Sequence, residues 1–117
     1  MEIIINNQTF NLDIANTFKK RLIGLMGKKD IQKGIFFPKT RSIHTFFMKD
    51  NIDIIMIDKN YNIVYYKKNV KKNIIIIKRK AYHTIELPKS SIKDIVLNEK
   101  ITIKMWRKNT NQTLVFF

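Results

Sequence analysis

The stretch from Arg41 to Asp58 constrains the fold more than any other, because it is the longest run that is both strongly apolar and studded with polar residues. Read as extended chain, its side chains alternate between faces. His44, Phe46 and Met48 then share one face of a first strand, and Ile43, Thr45 and Phe47 share the other. In a second strand Asp53 lands between Ile52 and Ile54, at the mouth of an apolar run where an unpaired carboxylate is costly.

Ahead of this centre, residues 2–5 and 8–14 are apolar and β-branched around Asn6 and Asn7. Asparagine tolerates the positive φ of a tight turn, so the two runs read as an opening hairpin. Between Ala15 and Gly27, Asn16 or Thr17 can cap a helix, Phe18, Leu22, Leu25 and Met26 recur at helical spacing, and Gly27 suits a left-handed stop. A helix is expected there. Gly24 inside it costs roughly 1 kcal/mol relative to alanine, which points either to a close backbone approach or to a merely tolerated glycine. Residues 34–37 read as a short apolar strand stopped by Pro38.

Beyond the centre, the cluster from Asp58 to Asn62 reads as a turn joining residues 52–57 to 63–66 in an antiparallel hairpin. Residues 67–73, with four lysines, read as a basic loop. Residues 74–77 and 81–87 read as extended, and Ser90 or Ser91 can cap a short helical turn over 92–95. Residues 101–106 alternate as a strand, with Trp106 as core, and 114–117 read as an edge strand or a loose tail. The expected fold class is mainly β (α+β): a compact β-barrel-like domain of short, mostly antiparallel strands with one early helix and a second short one. Closing or partly closing the barrel removes sheet edges.

At 117 residues the chain is expected to be one domain, 1–117, burying about 65% of its unfolded surface. Having no cysteine, it excludes disulfides, thiolate metal sites and a cysteine nucleophile, as a reducing compartment tolerates. No apolar run approaches the roughly 18 residues of a membrane helix, and the amino terminus lacks the basic start and long apolar middle of a signal peptide. A cytoplasmic location is therefore expected. The net charge of +14 makes a nucleic acid, an acidic protein or an anionic ligand the partners to consider. Heavy use of lysine, isoleucine and asparagine beside only four arginines is also what an AT-rich codon bias produces, and a solvated surface is the plain alternative.

Several segments together resemble a known family of bacterial and archaeal proteins, domain of unknown function 192. They are Ala15, Thr17, Arg21, Gly24, Leu25 and Met26; then Gly34 to Pro38; then Ser42 to Met48; then Ile52 to Ile55; and Glu86-Leu87-Pro88. The resemblance covers residues 15 to about 103. It implies a β-barrel-like domain with an early helix and no established reaction. This chain departs from the family pattern at Asp50-Asn51, Lys39-Thr40 and Lys89-Ser90.

The residues that stand out for a site are Arg21, Gly24, Leu25, Met26, His44, Thr45, Phe46, Met48, Asp53 and Glu86. His44 is the one candidate general base in the matched motif, and it is expected to be held by hydrogen bonds in or beside the core. Arg21 is expected to pair with Asp53 or Glu86, or else to join His44 and Thr45 in offering donors to a carboxylate or phosphate in a cleft between helix and sheet. Thr45 lacks a neighbouring base. No spacing of His, Asp and Glu resembles a metal site, and no glycine-rich loop suggests a cofactor. The leading reading is a non-enzymatic binding or accessory module. The alternatives are a nucleic-acid or anionic-polymer binder and an enzyme using Arg21, His44 and Asp53.

Overall fold

The computed structural model describes residues 1–27, 31–107 and 112–116, with the side chains of Phe18, Arg21, Leu22 and all residues from Met105 onward outside that description. In chain order the elements are β1 (Glu2–Ile5), β2 (Gln8–Ile14), α1 (Phe18–Ile23), β3 (Gly34–Phe37), β4 (Ser42–His44), β5 (Ile52–Ile57), β6 (Ile63–Val70), β7 (Ile75–Ile77), β8 (His83–Pro88), β9 (Thr102–Arg107) and β10 (Gln112–Phe116). Eight strands form one sheet in the order β10-β9-β1-β2-β3-β8-β5-β6, and β4 and β7 form a separate two-stranded ribbon. The large sheet curls into a half-barrel. Among the described residues only β2 and β3 pair in parallel.

The local signals explain the hairpins. Asn6 and Asn7 both take positive φ, 47° and 65°, and reverse β1 into β2. At the β5–β6 turn, Asp58 Oδ1 accepts the backbone N–H groups of Asn60 and Asn62, each at 2.9 Å. Every residue of β5 is buried, because both faces of the sheet are covered. Ile55 and Ile57 pack with Ile3, Leu12, Ile85 and Ile92 on one side. Ile52, Ile54 and Met56 pack with Leu25, Phe37, Ile43 and Ile76 on the other. The β4–β7 ribbon and the turn after α1 form the cover on this second side.

Four expectations are corrected. The helix expected from Ala15 to Gly27 is not formed at that length: only the six residues of α1 wind, capped by Thr17, and Gly24 ends the turn at φ 51°, ψ −128°. The helical turn expected over 92–95 is absent; Ser91 Oγ donates back to the Pro88 carbonyl, and the Ile92 N–H is taken by Asp53. The first central strand stops at His44, and Phe47, at φ 62°, turns outward with 78% of its surface exposed. Alternation therefore fails beyond Thr45, and Met48 is buried while His44 is exposed. Residues 67–70 belong to β6 rather than to a basic loop. The expected core role of Trp106 falls outside the described side chains.

Candidate functional site

The turn after α1 and the loop after β4 meet across a short bridge. Gly27 N–H donates to the Phe47 carbonyl at 3.1 Å, and Thr45 fixes the loop from within. Its hydroxyl donates to the Lys71 carbonyl at 2.7 Å and accepts the Ile74 N–H at 2.9 Å. Between turn and loop lies a cavity of about 80 Å³. Its walls are Gly24, Leu25 and Met26 from the turn, Phe37 from β3, Ile43, His44, Phe46 and Met48 from the central segment, and Glu86 from β8. Every family-resembling segment except Ile52 to Ile55 contributes a wall.

Glu86 sets the chemistry of this cavity. It sits in β8 opposite Ile54 and Ile35, facing the side of the sheet covered by α1 and the ribbon, and only 5% of its surface is exposed. Its Oε2 has no hydrogen-bond partner among the described residues. Burial pushes the carboxyl up to about 8, against a backbone hydrogen bond from Leu25 that acts the other way. A Cβ at Gly24 would lie 3.0 Å from Phe37 Cζ and 3.5 Å from Glu86 Oε2. The neighbours are side chains, so no second backbone approaches Gly24; its positive φ of 51° and the Phe37 ring are what favour glycine there.

The other anticipated residues divide. His44 lines the cavity but is exposed, its Nδ1 accepting the Phe46 N–H at 3.2 Å and its ring stacked on Phe46 at 5.1 Å. It is therefore held by a hydrogen bond beside the core and not within it. Thr45 does not line the cavity, since its hydroxyl is spent inside the loop. Asp53 lies on the opposite face of the sheet: its neighbour Ile54 pairs with Glu86 in register, and adjacent strand residues point to opposite sides. Both its oxygens accept backbone N–H groups at 2.8 Å, from Asn69 and from Ile92. Asn69, at φ 53°, lies where β6 fits two residues against Asp53 alone, so Asp53 serves a β-bulge. The Arg21 side chain lies outside the described residues, and its expected pairing with Asp53 or Glu86 lies there too. Among the described residues no group of three His, Cys, Asp or Glu side chains is placed to hold a metal.

The anticipated site residues leave out the walls Ile23, Phe37, Thr40, Ser42 and Ile43, and the isolation of Glu86 was not anticipated. A lone acid inside the apolar run Ile85-Glu86-Leu87 was the available signal. Ile23 and Gly24 also border a wider groove of about 430 Å³ with Asp13, Lys19, Lys20 and Ile35.

A curled β-sheet whose covered face holds a small cavity around one buried carboxyl defines a β-domain with a concave pocket. The chain belongs to the family DUF192, described as "Uncharacterized ACR", which matches residues 1–105 and so includes the opening hairpin. A UPF0127 protein of Pyrococcus horikoshii is 38% identical, the match covering 77% of this chain and 90% of the relative. A UPF0127 protein of Thermococcus kodakarensis is 35% identical over 74% of this chain, which spans 59% of that relative's length. Two crystal structures share the fold. One, of a Novosphingobium aromaticivorans protein of unknown function, has a TM-score of 0.69 at 15% identity, covering 86% of this chain and 81% of that one. The other, from Sinorhizobium meliloti and described provisionally as a transcription regulator, has a TM-score of 0.72 at 18% identity, covering 86% and 88%. Among the described residues no helix is long and apolar enough to cross a membrane.

Proposed function

We propose that this domain is a binding module whose cavity takes a small neutral molecule, or the neutral end of a larger one. The ligand forms a hydrogen bond with Glu86 and apolar contacts with Leu25, Phe37 and Met48. The observation that carries this reading is Glu86 Oε2, which lies inside the cavity and has no hydrogen-bond partner among the described residues. A buried polar atom left without a partner costs about 1–3 kcal/mol, and a ligand that supplies the partner recovers that cost. A protonated carboxyl donates one hydrogen bond and accepts others, so it complements an amide or an alcohol. A carboxylate or phosphate ligand is disfavoured, because its charge would lose water in a largely apolar cavity whose described walls include no Lys or Arg to meet it. The cavity volume is roughly half of the ~150 Å³ that admits a benzene ring, enough for a terminal amide or hydroxyl group.

Binding is favoured over a reaction using Arg21, His44 and Asp53 by the position of Asp53, whose oxygens are both engaged on the far face of the sheet. The reading is tested by NMR with small amides, alcohols and matched carboxylates at pH 6. Neutral compounds are expected to shift the resonances of Leu25, Phe37 and Met48, and the carboxylates are not. Equal binding of the carboxylates, or shifts elsewhere only, would overturn the reading. Turnover of a hydrolase or transferase substrate that His44→Ala abolishes would replace binding by catalysis.

A further inference from the structure

The positive charge of the chain is unevenly placed. From Lys59 to Ile85 there are eight Lys and Arg residues and no Asp or Glu. Folding brings four cations to one concavity of about 270 Å³: Lys59 from the turn after β5, Arg79 and Lys80 from the turn after β7, and Arg41 just ahead of β4. The Arg41 carbonyl accepts the Lys78 N–H at 3.0 Å, which holds the arginine beside the second turn. All four side chains are exposed, and among the described residues none has an acidic partner. Asp58, the acid at the cleft, is committed to its own turn through Asn60 and Asn62.

Codon bias scatters lysines but does not bring scarce arginines together, and two of the four in the chain meet here. Guanidinium forks grip phosphate oxygens in pairs, while lysines act as point charges on neighbouring phosphates. Lys78, exposed and next in sequence to Arg79, lies over the Tyr65 ring of β6 at 4.4 Å and adds a further cation beside the cleft, as suits a ligand bearing a charge on every unit.

We infer that this cleft binds the phosphodiester backbone of a nucleic acid, with Arg41 and Arg79 on one phosphate and Lys59 and Lys80 on its neighbours. The contacts are all to phosphates, so affinity comes from backbone charge and falls with salt.

Fluorescence anisotropy with labelled 20-nucleotide DNA and RNA single strands tests this at about 50 and 200 mM salt. The pair of substitutions Arg41→Ala and Arg79→Ala is expected to weaken binding by about tenfold or more at the lower salt and to reduce the salt slope by one to two. The control pair Lys19→Ala and Lys20→Ala removes the same charge from exposed sites on α1, and is expected to change affinity by less than about threefold. Circular dichroism confirms that both variants are folded. The inference is overturned by no binding at the lower salt, by equal losses in the two variants, which would mean diffuse charge, or by tighter binding of polyglutamate, which would make the partner an acidic protein.

Discussion

A Cβ placed on Gly24 would lie 3.6 Å from Glu86 Oε1 and 3.5 Å from Oε2, so the carboxyl faces the backbone that ends α1 with room for one methyl group between them. Gly24 also holds φ 51°, ψ −128°, a conformation open to glycine and strained for other residues. Gly24→Ala is expected to cost about 2–3 kcal/mol in urea denaturation and to close part of the cavity, abolishing the NMR shifts at Leu25 and Phe37. A neutral substitution would mean that the turn relaxes freely.

Glu86 makes stability depend on pH. Its folded value of about 8 stands above the 4.5 of the unfolded chain, so between these values the folded chain keeps a proton that the unfolded chain has released. Stability therefore falls as pH rises through that window, by up to about 1.4 kcal/mol per unit, and levels off above it. Glu86→Gln is expected to remove this decline. His83 is lowered by burial and by Lys39, so its contribution is lost as pH falls below 6.5. Urea titrations from pH 6.5 to 8 isolate the glutamate.

Asp53 is predicted to act on stability alone. Asp53→Ala leaves the Asn69 and Ile92 N–H groups without their acceptor, and a loss of about 2–4 kcal/mol is expected. Asp53→Asn keeps one acceptor oxygen and is expected to lose less. Ligand-induced shifts at the cavity should persist in whichever variant remains folded; their loss in a folded Asp53 variant would tie the two faces of the sheet together.

Gly34 contrasts with Gly24. A Cβ there would lie 2.5 Å from the Glu86 carbonyl oxygen and 2.6 Å from Leu12 Cδ2. The first neighbour is backbone and cannot swing aside, so Gly34→Ala is expected to separate β3 from β8 and cost about 3 kcal/mol or more. Thermal unfolding measures it.

Features set by short-range chemistry were legible in the sequence. Asn6-Asn7 and Asp58 with its following asparagines announced their turns, and the apolar run from Ile52 announced the central strand. The cost of burying Asp53 was also legible, though not its solution, since Asn69 and Ile92 arrive from 16 and 39 residues away. Non-local pairing hid the rest. Nothing near Ile14 signals that β2 lies parallel to β3, and nothing near Phe47 signals its left-handed backbone, which depends on Gly27 approaching from another segment. Gly24 was noticed, but periodicity carried the helix past it to Gly27. The family-like segments were found as separate pieces, and only folding shows that most of them wall one cavity. The basic cleft had one signal in the sequence, the acid-free run after Asp58, of which only residues 67–73 read as a basic loop.

The central claim is a neutral, buried Glu86 facing a cavity, and the most direct measurement is an NMR titration of its side-chain carboxyl carbon from pH 4 to 10. The account predicts a midpoint near 8. A midpoint below about 5, the range of an ordinary exposed glutamate, would show a solvated or paired carboxylate and contradict both the neutral-ligand reading and the predicted decline of stability with pH.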